Sequence, residues 1–186
     1  TNYTFIQHAN LSANITAKAL TVSGLTAVNK VYDSNTTATF TGTAALSGLV
    51  AGDDVTLGGT PAGTFADEHV ANGISVTVTG STISGTDATN YTFIQHANLS
   101  ANITAKALTV SGITANNKEY DGSTAATINT AGAALLGVVS GDTVTLNTVS
   151  ATGVFSDSNI GTGKTVTIAG LTIGGADAAK YSLTQP

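Results

Sequence analysis

Hydrophobic and polar residues alternate along many short segments of the chain. In residues 74–80, isoleucine and valine alternate with serine and threonine, and residues 165–170 repeat the pattern. Because successive side chains of a β-strand point to opposite faces, such alternation predicts strands with one buried face. The high content of threonine, valine and isoleucine favours the same structure. Further predicted strands with this alternation are residues 3–7, 11–16, 19–24, 38–42, 91–95, 99–104 and 107–112.

Turn-forming residues separate the predicted strands at intervals of about 8–12 residues, a spacing typical of sandwiches and barrels. The one helix candidate is residues 43–54, where glycines limit any helix to a single short turn. The sequence therefore predicts an all-β fold made of tandem, small β-sandwich-like domains. A β-grasp-like domain with one short helix is the alternative.

The chain contains an internal repeat with a period of about 90 residues. Residues 1–24 and 89–112 are identical, and the similarity continues beyond them with two single-residue insertions. We therefore expect residues 1–16 to be the C-terminal strand or strands of a preceding repeat. Residues 17–104 form repeat 1, and residues 105–186 form repeat 2, which is truncated at its C-terminal end. With no signal peptide visible, the chain is expected to be a mature fragment or a piece of a longer protein.

The predicted core is drawn from apolar positions of these strands, with the equivalent positions of repeat 2. Its members in repeat 1 are Leu20, Val22, Tyr32, Leu46, Leu49, Val55, Phe65, Val76, Val78, Tyr91 and Phe93.

Composition excludes several classes of protein. Only 9% of residues are charged, all six basic residues are lysine, and the formal net charge is -5. Without a basic stripe, binding to nucleic acid is not expected. No apolar run is long enough to cross a bilayer as a helix, so membrane insertion is not expected. The absence of cysteine excludes disulfides, thiolate zinc sites and a cysteine nucleophile.

Five ordered sequence blocks stand out in repeat 2, namely residues 118–122, 136–142, 153–157, 163–168 and 174–181. Together they resemble the YDG-type tandem repeat of large bacterial surface adhesins, which is associated with filamentous-haemagglutinin-like and autotransporter proteins. Repeat 1 departs from the pattern at Ser34, which stands where the motif has glycine, and at residues 72–74, which replace a Gly-Lys segment.

The resemblance implies an extracellular stalk or spacer at the bacterial cell surface, which extends a tip domain away from the cell. It implies no reaction, no cofactor and no established ligand residue. Neighbouring repeats of the same chain are the partners that follow most directly from a tandem array. Two alternatives remain open: a module that binds host or matrix glycan or protein, and self-association in which residues 1–16 of one molecule complete a strand edge of another.

The Lys-x-Tyr-Asp motif occurs once in each repeat and invites a chemical interpretation. The structural interpretation has tyrosine packing its ring, aspartate capping a turn and lysine lying on the surface. The alternative is a spontaneous Lys–Asn or Lys–Asp isopeptide bond, which intact mass would reveal. The motif residues are Lys30, Tyr32 and Asp33 in repeat 1, and Lys118, Tyr120, Asp121 and Gly122 in repeat 2.

Acidic residues near turns are weak candidates for calcium sites. Calcium requires six to eight oxygen ligands, while each repeat has few acids and they lie far apart in sequence, which favours turn capping instead. His8, His69 and His96 form no zinc or catalytic pattern, so no metal site and no enzyme is expected. The calcium candidates are Asp53, Asp54, Asp67, Asp142 and Asp157.

Overall fold

A computed structural model describes residues 2–7 and 10–186, and it confirms the predicted all-β class. Two short 3-10 helices, Ala88–Asn90 and Ala178–Lys180, are the only helical segments of the described chain. The strands up to the junction of the repeats are β1 (Lys18–Ala27), β2 (Lys30–Val31), β3 (Thr37–Ala38), β4 (Phe40–Ser47), β5 (Thr56–Phe65), β6 (Ala71–Ser84), β7 (Tyr91–Ile94) and β8 (Leu99–Thr104). Those that follow are β9 (Lys106–Ser111), β10 (Thr114–Ala115), β11 (Ala125–Ala126), β12 (Ile128–Asn129), β13 (Ala134–Leu136), β14 (Thr145–Asn147), β15 (Thr152–Phe155), β16 (Val166–Ala169), β17 (Thr172–Gly174) and β18 (Tyr181–Leu183).

Repeat 1 is built from two sheets. A three-stranded sheet has the order β4-β1-β7, and a five-stranded sheet has the order β2-β8-β6-β5-β3. Most neighbours are antiparallel, but β1 pairs with β7 and β2 pairs with β8 in parallel. Both parallel pairs join segments far apart in sequence, so the end of the repeat closes onto its beginning.

A β-bulge interrupts the pairing of β1 with β4 between Ser23 and Leu25. Gly24 and Gly42 face each other there with φ of 85° and 89°. A Cβ on Gly24 would lie 2.2 Å from the Thr43 carbonyl oxygen, so both the backbone conformation and the close approach require glycine.

Repeat 2 reproduces this arrangement with shorter ladders. Its three-stranded sheet has the order β13-β9-β18, which matches β4-β1-β7 of repeat 1. The three-stranded sheet β11-β15-β16 and the two-stranded sheet β14-β17 together match the β3-β5-β6 part of the larger sheet in repeat 1. No strand of the described chain occupies the places in repeat 2 that correspond to β2 and β8.

One hydrophobic cluster extends across both repeats. Its buried members are Ala27, Tyr32, Ala38, Phe65, Val76, Ala101, Ile103, Leu108 and Tyr181, of which the last two belong to repeat 2. Seven of the predicted core residues of repeat 1 are buried, namely Leu20, Val22, Tyr32, Phe65, Val76, Val78 and Tyr91. The prediction was wrong for Leu49, which is 38% exposed, and it missed Ile103.

Two expectations about secondary structure are corrected. The predicted turn of helix in residues 43–54 is wrong, because its first part continues strand β4 against β1 and the rest forms turns. Residues 3–7 and 11–16 were predicted as strands, but neither segment forms part of a strand in the structure. Their identical counterparts form β7 and β8, which shows that partner strands, and not the local sequence, decide whether these segments join a sheet.

Candidate functional site

The two repeats are connected by a single residue. Strand β8 of the repeat 1 sheet ends at Thr104, and β9 of repeat 2 begins at Lys106. The Tyr32 backbone N–H donates a hydrogen bond to the Thr104 carbonyl oxygen at 2.9 Å, which fixes the motif of repeat 1 beside this connection. Such a short link leaves little freedom between the last strand of one repeat and the first strand of the next.

Tyr32 fills the junction and packs on residues of repeat 2. Its side chain is 1% exposed, and its ring meets that of Tyr181 edge to face, with centroids 5.6 Å apart and an interplanar angle of 81°. The Lys180 ammonium group lies 5.1 Å from the Tyr32 ring centroid, within the range of a cation–π contact. The aromatic motif residue therefore serves the contact between repeats, and we call Tyr32, Asp142, Lys180 and Tyr181 the joint cluster.

Asp142 is the polar centre of the joint cluster. It accepts hydrogen bonds from the hydroxyl groups of Tyr181 and Tyr32, the latter at 3.3 Å. The Lys180 Nζ atom lies 3.7 Å from Asp142 and 2.8 Å from Asp177. These contacts with Asp177 and then with Tyr32 raise the pKa of Lys180, so the lysine stays charged. Every polar group at the junction thus has a partner, as a largely buried site requires.

Tyr181 gives the joint cluster a titration that can be measured. Burial, and then the hydrogen bond to Asp142, raise the pKa of Tyr181 to about 12. The neutral phenol is favoured in the folded state, so its contribution to stability is complete below the unfolded pKa of about 10. That contribution is lost as pH rises through about 12.

We expect NMR of the labelled tyrosine rings to place the Tyr181 titration near pH 12 in the wild-type chain. Asp142→Asn should lower that midpoint, because the charge that opposes the phenolate is removed. A wild-type midpoint near the ordinary value of about 10 would contradict the geometry of this cluster.

The aspartate–tyrosine pair of the joint cluster, Asp142 and Tyr181, has a counterpart in repeat 1, which lies at the end of repeat 1 away from Tyr32. The Tyr91 hydroxyl donates to Asp53 at 2.6 Å and accepts from the Val50 backbone N–H at 3.0 Å. In repeat 2 the Tyr181 hydroxyl accepts from the Val139 N–H at the same distance. Asn90 stands where repeat 2 has Lys180. Each repeat therefore has a hydrogen-bonded aspartate–tyrosine pair at one end and a Lys-x-Tyr-Asp motif at the other.

The motif lysines donate hydrogen bonds to oxygen atoms of their own turns. Lys30 Nζ contacts the Asn35 carbonyl and amide oxygens at 2.8 and 2.9 Å, and it lies 2.6 Å from Asp33. Lys118 makes the equivalent contacts with Asp121, at 2.7 Å, and with Ser123. These contacts fix the turn that carries each tyrosine.

The motif aspartates accept backbone hydrogen bonds two residues ahead. Asp33 accepts from the Asn35 N–H and Asp121 from the Ser123 N–H. Lys118 and Ser123 together hold the pKa of Asp121 at about 2. Gly122 has a φ of 74°, and Ser34 adopts the same region in repeat 1 with a φ of 58°. The absence of glycine in repeat 1 is therefore accommodated by a left-handed serine.

The calcium candidates accept hydrogen bonds from other groups of the fold, two of them within local turns and three from residues far away in sequence. Asp67 and Asp157 accept backbone hydrogen bonds two residues ahead, and Asp54 accepts from the N–H and hydroxyl of Thr86. Asp53 and Asp142 accept from tyrosine hydroxyl groups. Within residues 2–7 and 10–186 no three histidine or acidic side chains are grouped in a way that could hold a metal ion.

The histidines do not converge either. The His69 ring pairs with Asp67, and His96 Nδ1 lies 3.1 Å from the Ala97 carbonyl oxygen. His8 lies outside the described residues. In the described part of the chain, no helix is long and apolar enough to span a membrane.

Sequence reasoning missed the joint cluster as a site. It named the motif tyrosine as a core residue and Asp142 as a weak calcium candidate, but it did not bring them together across the repeats. Lys180 was noted only as part of a sequence block. The period of about 90 residues was the available signal, because it implies that the end of one repeat contacts the start of its neighbour.

Comparison with known families decides the membership of the chain. The model of the YDG domain matches residues 16–99 and again residues 104–186. The chain belongs to the YDG domain family. The two YDG domains lie in tandem, and the residues between the matches fall within β8. No curated protein and no solved structure matches the chain.

Proposed function

We propose that this pair of YDG domains is a structural stalk segment of an extracellular bacterial adhesin, which holds a tip domain away from the cell surface. The observation that carries the proposal is the joint cluster, where Tyr32 of one domain is buried against Tyr181 of the next. A single residue, Ala105, links the strands on either side. A spacer needs such joints, because a rod with freely hinged units would not extend its end.

The surface chemistry supports the same role. Among the described residues the acidic and basic side chains pair locally at turns, as Lys30 does with Asp33 and Lys164 does with Asp157. These are contacts within one domain, as expected of a self-contained spacer unit. The bacterial source and the cell-surface location rest on the sequence resemblance of the repeat.

Small-angle X-ray scattering tests whether the joint is stiff. We expect scattering of the wild-type chain to fit a single arrangement of the two domains. A short Gly-Ser insertion after Ala105 should broaden the distance distribution, because it separates β8 from β9. The same insertion after Gly52, in an exposed turn, is the matched control and should leave the distribution unchanged. Wild-type scattering that requires many domain orientations would contradict the stalk proposal.

The alternative of a binding module has a direct test of its own. A glycan array probed with the two-domain chain should give no reproducible signal if the domains act as a spacer. Reproducible binding to a defined glycan would replace the stalk proposal with an adhesive one.

A further inference from the structure

Strand β6 contains a bulge opposite strand β8. The antiparallel pairing of the two strands shifts register between Ala71 and Ile74. Two residues of β6, Asn72 and Gly73, therefore stand opposite the single residue Asn102 of β8. The bulge carries an Asn-Gly sequence, which occurs nowhere else in the chain. A chemically distinctive dipeptide thus lies where the regular ladder is interrupted.

An asparagine that precedes glycine is the most susceptible to spontaneous deamidation. In this reaction the backbone nitrogen of the glycine attacks the side-chain carbonyl carbon of the asparagine, and glycine has no side chain to hinder the approach. Residues 71–73 are all exposed, and a Cβ placed on Gly73 would meet no atom within 4 Å. Water and hydroxide therefore reach both reacting groups, and the bulge has room for a ring to form.

One hydrogen bond restrains the reacting nitrogen. The Gly73 N–H donates to the Asn102 amide oxygen at 2.8 Å. The Asn102 backbone N–H donates in turn to the Asn29 amide oxygen at 2.7 Å, which helps to hold this part of β8 in place. Because the nitrogen must lose its proton and turn towards Asn72 before it can attack, the reaction proceeds only from the state in which the bond to Asn102 is open.

We propose that Asn72 is a site of spontaneous deamidation, and that the hydrogen bond from Gly73 to Asn102 sets its rate. The Gly73 nitrogen gives its proton to hydroxide and forms a bond to the Asn72 Cγ atom. The bond from Cγ to the side-chain nitrogen then breaks, and that nitrogen takes up a proton and leaves as ammonia. A succinimide ring remains, and addition of one water molecule opens it to aspartate or isoaspartate at position 72.

Isoaspartate changes the backbone of the bulge. The main chain then runs through the former side-chain carbon, so it gains one atom between Ala71 and Gly73. The flanking pairs, Ala71 with Ile103 and Ile74 with Ala101, cannot both keep their register across the longer segment. Ala101 and Ile103 are buried members of the cluster that spans both repeats, so a displaced β8 lowers the stability of the chain.

Repeat 2 contains an internal control for the reaction. With the insertions taken into account, Thr162 and Gly163 stand where repeat 1 has Asn72 and Gly73. The φ of Gly163 is 64° and that of Gly73 is 65°, so the backbone conformation is the same. Threonine has no amide group to lose, and this position should therefore remain unmodified while Asn72 reacts.

This inference goes beyond the stalk proposal and does not depend on it. The reaction concerns one bulge of β6 and is detected by mass, so a flexible joint between the repeats would leave it unaffected. An unreactive Asn72 would likewise leave the scattering result for the joint unchanged.

Peptide mapping by mass spectrometry, during incubation at mildly alkaline pH and physiological temperature, tests the site. We expect the fragment with Asn72 to gain the mass difference between a hydroxyl and an amino group, and hydroxylamine to cleave the chain after position 72. Asn72→Gln is the matched control, because ring closure from glutamine is far slower. A folded chain in which Asn72 stays intact, while a synthetic peptide of residues 69–76 is fully converted, would overturn the proposal.

Asn102→Ala tests whether the hydrogen bond sets the rate. Loss of the acceptor should speed deamidation of the folded chain by about threefold to tenfold, the factor that corresponds to one hydrogen bond. Asn102→Asp keeps an acceptor oxygen and should react as slowly as the wild type, and circular dichroism confirms that both variants are folded. Equal rates in the wild type and Asn102→Ala, or a wild-type rate equal to that of the peptide, would overturn the role of Asn102.

Urea unfolding tests the effect on the fold. The incubated chain should unfold at a lower urea concentration than the fresh chain. Asn72→Asp has the added charge on an ordinary backbone at an exposed position, so it should unfold like the wild type. Protein isoaspartyl methyltransferase with S-adenosylmethionine, which returns isoaspartate to aspartate, should restore the midpoint of the incubated chain. An unchanged midpoint in a chain with isoaspartate at position 72 would overturn the predicted displacement of β8.

Discussion

Replacement of Tyr32 by alanine is expected to lower the free energy of unfolding by about 3–5 kcal/mol, the usual cost of truncating a fully buried aromatic side chain. Tyr32 is 1% exposed and packs against Tyr181. The substitution leaves a cavity between the repeats and removes one hydrogen bond to Asp142. It also removes the ring over which the Lys180 ammonium group lies.

The chain supplies a matched control at Tyr120, the same position of the motif in repeat 2. Tyr120 is 69% exposed, so Tyr120→Ala should change stability by no more than about 0.5 kcal/mol. Urea unfolding followed by circular dichroism at low protein concentration measures both variants against the wild type. Equal destabilisation by the two substitutions would mean that the tyrosine serves its own turn and not the joint.

The contrast between Tyr32 and Tyr120 shows that the local sequence does not determine whether a motif tyrosine is buried. Both occur in nearly the same motif, and both were predicted as core residues that pack their rings, yet Tyr120 is 69% exposed. Tyr32 packs edge to face on Tyr181 and shares a buried cluster with Leu108, and both of these residues belong to the following repeat. Because burial depends on a neighbouring unit, no local pattern separates the two positions. Only the order of repeats along the chain carries that information.

The alternation of residues predicted the β-class correctly, and most of the segments that it marked as strands do form strands, since antiparallel neighbours with one buried face leave a period of two. It failed in residues 43–54, where small residues and glycine resemble a weak helix but the chain pairs with β1. The parallel pairings of β1 with β7 and of β2 with β8 were also beyond prediction. Such pairs join segments about 70 residues apart, and no turn chemistry sets their register.

The candidate site was predictable in its parts and not in its assembly. The motif aspartates do cap turns, as their residue type indicated. The motif lysines were expected to lie on the surface, but they also bond to oxygens of these turns. Asp142 was a weak calcium candidate among the acidic residues near turns, and in the structure it accepts hydrogen bonds from two tyrosines of different repeats. A carboxylate can serve either purpose, and the distinction lies in which side chains the fold brings to it.

Ile103→Ala is expected to lower the free energy of unfolding by about 2–5 kcal/mol, the range for truncating a buried aliphatic side chain to alanine. Ile103 is 1% exposed near the C-terminal end of β8, between Lys30 of β2 and Ala71 of β6. Loss of its side chain opens a cavity above Phe65 and weakens the strand that leads into repeat 2. The effect should therefore reach both repeats.

Ile15→Ala provides a control with the same local sequence, since residues 11–16 and 99–104 are identical. Ile15 is fully exposed, so its replacement should change the stability of the monomer by no more than about 0.5 kcal/mol. Urea unfolding at low concentration, where copies stay apart, compares the two. Any difference must arise from tertiary packing, because intrinsic β-propensity changes equally at both positions. Equal losses would instead mean that residues 11–16 are packed in the monomer.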